Sequence, residues 1–205
     1  MVENRLINIF FLIIVSSAVD LLIGDPVWAP HPVEAMGRSI ETLRKIIEAL
    51  AKDNSLGLRI GGIILTITLT VVSGLCGWLI EQLAMSSSFL YSFLGSIVLT
   101  IGMGSCIAAK SLKVGVLKVL RALENSKENK NLQSAREELS HIVGRDVWTL
   151  NESEILRATA ETASENSVDG IFAPIFWMFI GAILLNLDSN FPGPLTLGFI
   201  YKASS

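Results

Sequence analysis

The sequence predicts an all-α fold, a polytopic integral-membrane helical bundle with amphipathic helices on its cytoplasmic side. Three observations carry this. Apolar residues make up 51% of the 205 and mean hydropathy is +0.55, the composition of a membrane protein. These residues gather into blocks at 6–23, 60–84, 89–109 and 171–187, each close to the roughly 20 residues that cross a bilayer. Basic residues alternate between the connections: Arg38, Arg44, Lys45, Lys52 and Arg59 follow the first block, none lies in 86–88, and nine more lie in 110–170.

Cytoplasmic loops collect Lys and Arg near the membrane. The chain therefore reads as one membrane domain over 1–205, with cytoplasmic segments 24–59 and 110–170 and the N-terminus outside. Acidic residues do not enter that rule, so the net charge of −3 is neutral towards it. That charge, with no basic stripe interleaved with aromatics, argues against a nucleic-acid partner.

The first block, 6–23, also has the form of a signal peptide, with Arg5 ahead of it and small residues at 16–18. The later blocks favour a span. After it, Met36, Ile40, Leu43, Ile47 and Leu50 recur at helical spacing, with Glu41/Lys45 and Glu48/Lys52 spaced as ion pairs. This predicts an amphipathic helix over 34–52, packed on the bundle or lying in the lipid interface. Cys76 and Cys106 fall inside apolar blocks with no ligand spacing around them, so they read as small core residues.

Residues 110–125 predict a second amphipathic helix and 132–142 a short one, with a break at Gly144-Arg145-Asp146. Asn151 followed by Glu154 has the form of a capping box, so a helix starts there. It runs through Arg157 to Gly170, a C-cap or hinge into the fourth block. At 17 residues with Pro174 in its first turn, that block either crosses or is re-entrant.

Two constellations carry chemistry. Glu161, Glu165 and Asp169 lie at four-residue spacing, so on a helix they stack one turn apart. Like charges placed this way repel, which points to a hard cation or a phosphate-bound metal. At the exit of the first block, Gly24-Asp25-Pro26 and Pro30-His31-Pro32 precede Gly37-Arg38. Three prolines within seven residues force a rigid, non-helical path that suits preorganised Asp25, His31 and Arg38. The plainer reading is a helix stop with Trp28 as an interface anchor.

The loop Asp20-Leu-Leu-Ile-Gly-Asp-Pro through Pro-His-Pro-Val and Met-Gly-Arg, with Ile142-Val-Gly-Arg-Asp146 and Glu161-Thr through Glu165-Asn-Ser-Val-Asp-Gly170, resembles the integral-membrane cobalamin-biosynthesis family CobD/CbiB, the adenosylcobinamide-phosphate synthases. Three separated motifs in order make the resemblance specific, and it covers nearly the whole chain. It implies conversion of adenosylcobyric acid to adenosylcobinamide or its phosphate, by amide ligation of (R)-1-amino-2-propanol or its O-phosphate to a propionate carboxylate, with ATP and magnesium. It also implies the cell membrane as location, a corrinoid substrate, the lipid bilayer, and a complex with other membrane enzymes of cobalamin assembly as partners. Family members continue past the equivalent of Ser205, so this chain reads as a fragment or one part of a split gene. Ala163-Ser164 stands where the family pattern has two apolar small residues.

Amide formation near neutral pH needs an activated carboxylate, usually an acyl phosphate, which brings polyphosphate and a metal into the site. Mg²⁺ takes one or two carboxylates plus phosphate oxygens and waters. Glu165 and Asp169, with Asn166 beside them, suffice, and Glu161 is a third ligand or an outer partner. Arg145 and Arg157 suit phosphate or carboxylate, although Arg157 is also placed for a plain ion pair with Glu161. His31 titrates near working pH and can take a proton from the attacking ammonium. The sequence contains no conventional nucleotide-binding loop. Two alternatives stand beside this reading: a transporter or ion-binding module without covalent chemistry, and a non-catalytic relative of the family.

Overall fold

The structure, a computed structural model, describes residues 2–24, 32–52, 54–85, 89–129 and 131–205. Among these the secondary structure is helical: α1 Val2–Leu22, α2 Pro32–Ala51, α3 Ser55–Ala84, α4 Phe89–Gly104, α5 Ala109–Asn129, α6 Gln133–Ser140, α7 Glu152–Ser167, α8 Ala173–Leu187 and α9 Pro194–Ser204. A π-helical turn, Val168–Phe172, joins α7 to α8. The chain divides into two compact units, Met1–Ile107 with Ala173–Ser205, and Ala108–Phe172.

Three helical stretches are long and apolar enough to cross a membrane: Ser55–Ala84, Phe93–Ser126 and Glu152–Leu187, of 30, 34 and 36 residues. Leu6–Leu22 is a shorter apolar helix. The polytopic, all-helical expectation holds.

In the first unit α9 packs on α3 and α8, while α1 packs on α4 and α8. The faces of α3 are sorted inside out relative to a water-soluble helix. Gly61, Leu69, Ser73, Gly74, Gly77 and Glu81 are buried, whereas Ile60, Ile63, Ile64, Ile67, Val71, Leu75 and Leu79 are exposed. Burying apolar surface gains nothing against lipid, so small residues that let backbones approach set the contacts instead. A Cβ on Gly77 would lie 2.8 Å from Thr196 Cα, and one on Gly102 would lie 2.9 Å from Leu195 Cδ1. Hydroxyls at Ser16 and Thr100 donate to carbonyls one turn back, at 2.7 Å each, so both of these donors are met in an apolar setting.

Local signals explain the ends. Gly24 closes α1 at φ 66° with its N–H on the Val19 carbonyl, the left-handed stop that glycine permits. Asn54 caps α3 by accepting from Leu56 N at 3.1 Å. The amphipathic α2 packs along α3, and Lys45–Glu41 pair at 2.8 Å as expected. Glu48 pairs with Arg44 at 2.7 Å rather than with Lys52. The reason is that α2 ends at Ala51 and Lys52 turns off the helix at φ 45°.

Helix α9 carries a device that no local pattern announces. Its N-terminal turn lacks a side-chain cap of its own, and Glu81 of α3 supplies one. The carboxylate accepts from Leu195 N at 2.7 Å, Gly193 N at 3.0 Å and Thr196 N at 3.3 Å, and the Thr196 hydroxyl donates to it as well. A helix N-terminus offers unpaired N–H groups and a partial positive charge, so a buried carboxylate is well placed there. Trp78 and Gln82, on the same end of α3, donate to the Asn190 and Ser189 carbonyls at 3.3 and 3.0 Å. The segment between α8 and α9 is therefore held along its length.

The second unit has its own core. Val119 and Leu123 of α5, Ala135 and Leu139 of α6, Val147, and Ile155 and Ala158 of α7 are all buried together. Truncating a buried leucine or isoleucine such as Leu139 or Ile155 to alanine costs about 2–5 kcal/mol. Arg136 ties α6 to the α7 entry, with Nε and Nη2 both donating to the Leu150 carbonyl at 2.9 and 2.7 Å. The capping box forms as the sequence predicts: Asn151 Oδ1 accepts from Glu154 N at 3.0 Å and Glu154 Oε2 accepts from Asn151 N at 2.7 Å.

Gly170 is a correction. It does not cap α7, because the helix continues through the π turn into α8. Pro174 has no N–H to give the carbonyl four residues earlier. That carbonyl, Gly170 O, accepts instead from Ala108 N at 2.9 Å. A π turn absorbs the mismatch and often marks a functional region.

Candidate functional site

Helix α7 is amphipathic, with Ile155, Ala158, Thr159 and Thr162 buried. The edge of that face, at Ala158 and Thr162, meets the segment 141–150, and a cleft of about 340 Å³ opens there. Its lining includes Gly144, Arg145, Glu161, Thr162, Glu165 and Asn166. The size is in the range of small-molecule sites, and the polar groups converge on one side.

Glu161 is the hub of that side. Its Oε2 accepts from Arg145 Nη2 at 2.9 Å and its Oε1 from Arg157 Nε at 2.9 Å. The Arg157 guanidinium, and after it that of Arg145, hold the Glu161 carboxyl below the usual carboxylate range. This group lies in the polar part of the long helix, ahead of the apolar stretch. Thr162 Oγ1 donates to the Ile142 carbonyl at 3.0 Å and accepts from Asn166 Nδ2 at 3.2 Å. Thr162 thereby fixes both the loop and the Asn166 amide. The periodicity of α7 places Thr162 on the core face, one turn before Asn166, which is the signal that sequence reading passes over.

Of the sequence-predicted residues, Arg145, Glu161, Glu165 and Asn166 come together in this cleft, and Arg157 joins through Glu161. Asp169 does not line it. The stripe's four-residue spacing enters the π turn there, whose i→i+5 bonding breaks the α-helical repeat, and Asp169 is exposed in it. Arg38 is exposed on α2 in the first unit. Asp25 and His31 lie outside the described residues.

Among the described residues no three His, Cys, Asp or Glu side chains form a metal-binding group. Both oxygens of Glu161 accept guanidinium N–H groups, the arrangement of an outer partner to a metal. Glu165 with the Asn166 amide remains, one carboxylate and one neutral oxygen donor. That donor set fits a magnesium ion that keeps waters and phosphate oxygens, which is how Mg²⁺ is usually held.

Known proteins resemble this chain over most of its length. A protein named cobalamin biosynthesis protein CobD from Clostridium tetani is 40% identical over 169 residues, covering 82% of this chain and 50% of that protein. The protein of the same name from Synechocystis sp. is 37% identical over 203 residues, 97% of this chain and 56% of its own length. One from Clostridium perfringens is 36% identical over 196 residues, 93% and 54% respectively. The chain thus spans about half the length of the curated relatives it matches. No solved structure matches it. The model of the CobD/Cbib protein family matches residues 13–205, and with these identities the chain belongs to that family.

Proposed function

We propose that this chain carries the active face of a membrane enzyme of cobalamin assembly. The reaction is conversion of adenosylcobyric acid to adenosylcobinamide or its phosphate, by amide ligation of (R)-1-amino-2-propanol or its O-phosphate to a propionate carboxylate. The observation that carries this reading is the cleft where Arg145, Glu165 and Asn166 converge, in a family whose relatives are named for cobalamin biosynthesis.

Glu165, with Asn166, would hold magnesium, and Asp169 and Glu161 are the other exposed carboxylates of the stripe. When bound, magnesium with ATP supplies the activation that a carboxylate needs before an amine displaces it. Arg145 binds an oxyanion of substrate or nucleotide through its planar guanidinium. Thr162 orients the Asn166 amide. In this reading His31 takes the proton from the attacking ammonium, Asp25 is the second catalytic candidate, and Arg38 binds substrate carboxylate or phosphate. The active face is cytoplasmic and the N-terminus lies outside, with corrinoid, aminopropanol and the bilayer as partners, in complex with other membrane enzymes of the pathway.

The test is genetic. Glu165→Gln, introduced at the gene's own chromosomal position, removes growth that depends on the step from adenosylcobyric acid to adenosylcobinamide, with membrane protein level unchanged. Undiminished growth would remove the site assignment.

A further inference from the structure

The first candidate ligand for the Arg145 and Arg157 guanidinium groups is already part of the chain. Glu161 bridges them, one oxygen to each, both at 2.9 Å. Each guanidinium carries five N–H donors, and these contacts use one apiece. Arg145 arrives from the irregular segment 141–150 and Arg157 from one helical turn before Glu161. Two elements therefore deliver positive charge to one carboxylate that lines the cleft.

We propose that Glu161 is an intramolecular competitor, a carboxylate that occupies an anion site built by Arg145 and Arg157 until a phosphate group displaces it. This rests on the reading of the cleft as the site of a phosphate-dependent ligation. All three side chains are about half or more exposed, and exposed ion pairs hold weakly. A phosphate brings close to two negative charges and three acceptor oxygens, where Glu161 brings one charge and two oxygens, so exchange favours phosphate. The released carboxylate stays beside the cleft as a like charge that limits affinity and speeds release of the anionic product.

The test measures binding of inorganic phosphate, pyrophosphate and propionate to the 205-residue chain in lipid nanodiscs. Glu161→Gln keeps the shape and removes the charge, and it is expected to bind phosphate and pyrophosphate about tenfold more tightly than the native chain. Adding Arg145→Ala to Glu161→Gln should abolish that gain. Propionate should gain less than either phosphate probe, and an equal or larger gain for propionate would overturn the phosphate assignment. Unchanged or weaker phosphate binding by Glu161→Gln, with native helix content, would overturn the proposal. Glu161→Asp, which keeps the charge, should bind phosphate no more tightly than the native chain, and tightening there would also count against competition. If Glu165→Gln abolishes ligation while Glu161→Gln leaves phosphate affinity unchanged, this proposal fails and the ligase reading stands. If phosphate binding tightens but no variant or native protein makes the amide, the ligase reading fails and the competitor remains.

Discussion

The carboxylate of Glu81, near the end of α3, accepts the backbone N–H of Leu195, in the first turn of α9, at 2.7 Å. With the Gly193 and Thr196 donors, it turns a charged residue inside a candidate span into the cap of another helix. Removing it strands several donors away from water. Glu81→Ala is expected to destabilise the first unit by about 3 kcal/mol or more, given roughly 1–3 kcal/mol for each buried donor left unmet. Glu81→Gln should cost less, because its amide oxygen still accepts. Thermal unfolding in detergent checks both, and an unchanged midpoint for Glu81→Ala would contradict the capping account.

Close helix approach predicts a contrast between two glycines of α3. A Cβ at Gly77 would meet the Thr196 backbone at 2.8 and 3.1 Å, whereas one at Gly62 meets nothing within 4 Å. Backbone cannot swing aside as a side chain does. Gly77→Ala should therefore destabilise by about 1–3 kcal/mol, while Gly62→Ala should stabilise by up to about 1 kcal/mol through helix propensity alone. Equal effects at the two positions would contradict the packing.

Glu161 offers a titration. Its pKa lies below the ordinary value of 4.5, held there by the Arg157 and Arg145 guanidinium groups. The sign follows from this depression: the pairing is complete above pH 4.5 and is lost as pH falls through the lower folded value. Carboxyl-carbon NMR of the labelled chain should show Arg157→Ala raising the Glu161 pKa, with a smaller rise for Arg145→Ala. A pKa unmoved by either variant would contradict the bridge.

The alternation of basic residues predicts sidedness. Reporter fusions at Lys52 and Lys130 should score as cytoplasmic and one at Ser87 as external. The reverse pattern would move the cleft to the other side of the membrane.

The long helices were legible because block length and helical periodicity are local properties, and the α7 start was legible because a capping box lies within four residues. Helix α9 was not. Its Gly193-Pro194 entry is a helix-start signal, but its acceptor, Glu81, lies 114 residues before Leu195. Asp169 does not join Glu165 in the lining of the cleft for a related reason. Four-residue spacing aligns side chains only in an α-helix, and Asp169 falls in the π turn that accompanies Gly170 and Pro174. Glu161 and Arg157 were visible as a helical pair. The second partner, Arg145, is 16 residues away and arrives only through the fold of 141–150. Asp25 and His31 were singled out by the rigidity of a Pro-rich loop, a local signal that names residues without saying what they meet.

The most direct test of the account is the rate of amide formation by isolated membranes from cells expressing the gene at its own locus. The assay supplies adenosylcobyric acid and aminopropanol or its O-phosphate, with ATP and magnesium. Substituting partners around a bound metal typically costs 10–100-fold, so Glu165→Gln should lose about a hundredfold or more, with the protein still present in the membrane at its normal level. Amide formation by Glu165→Gln at the native rate would contradict the placement of the chemistry in this cleft.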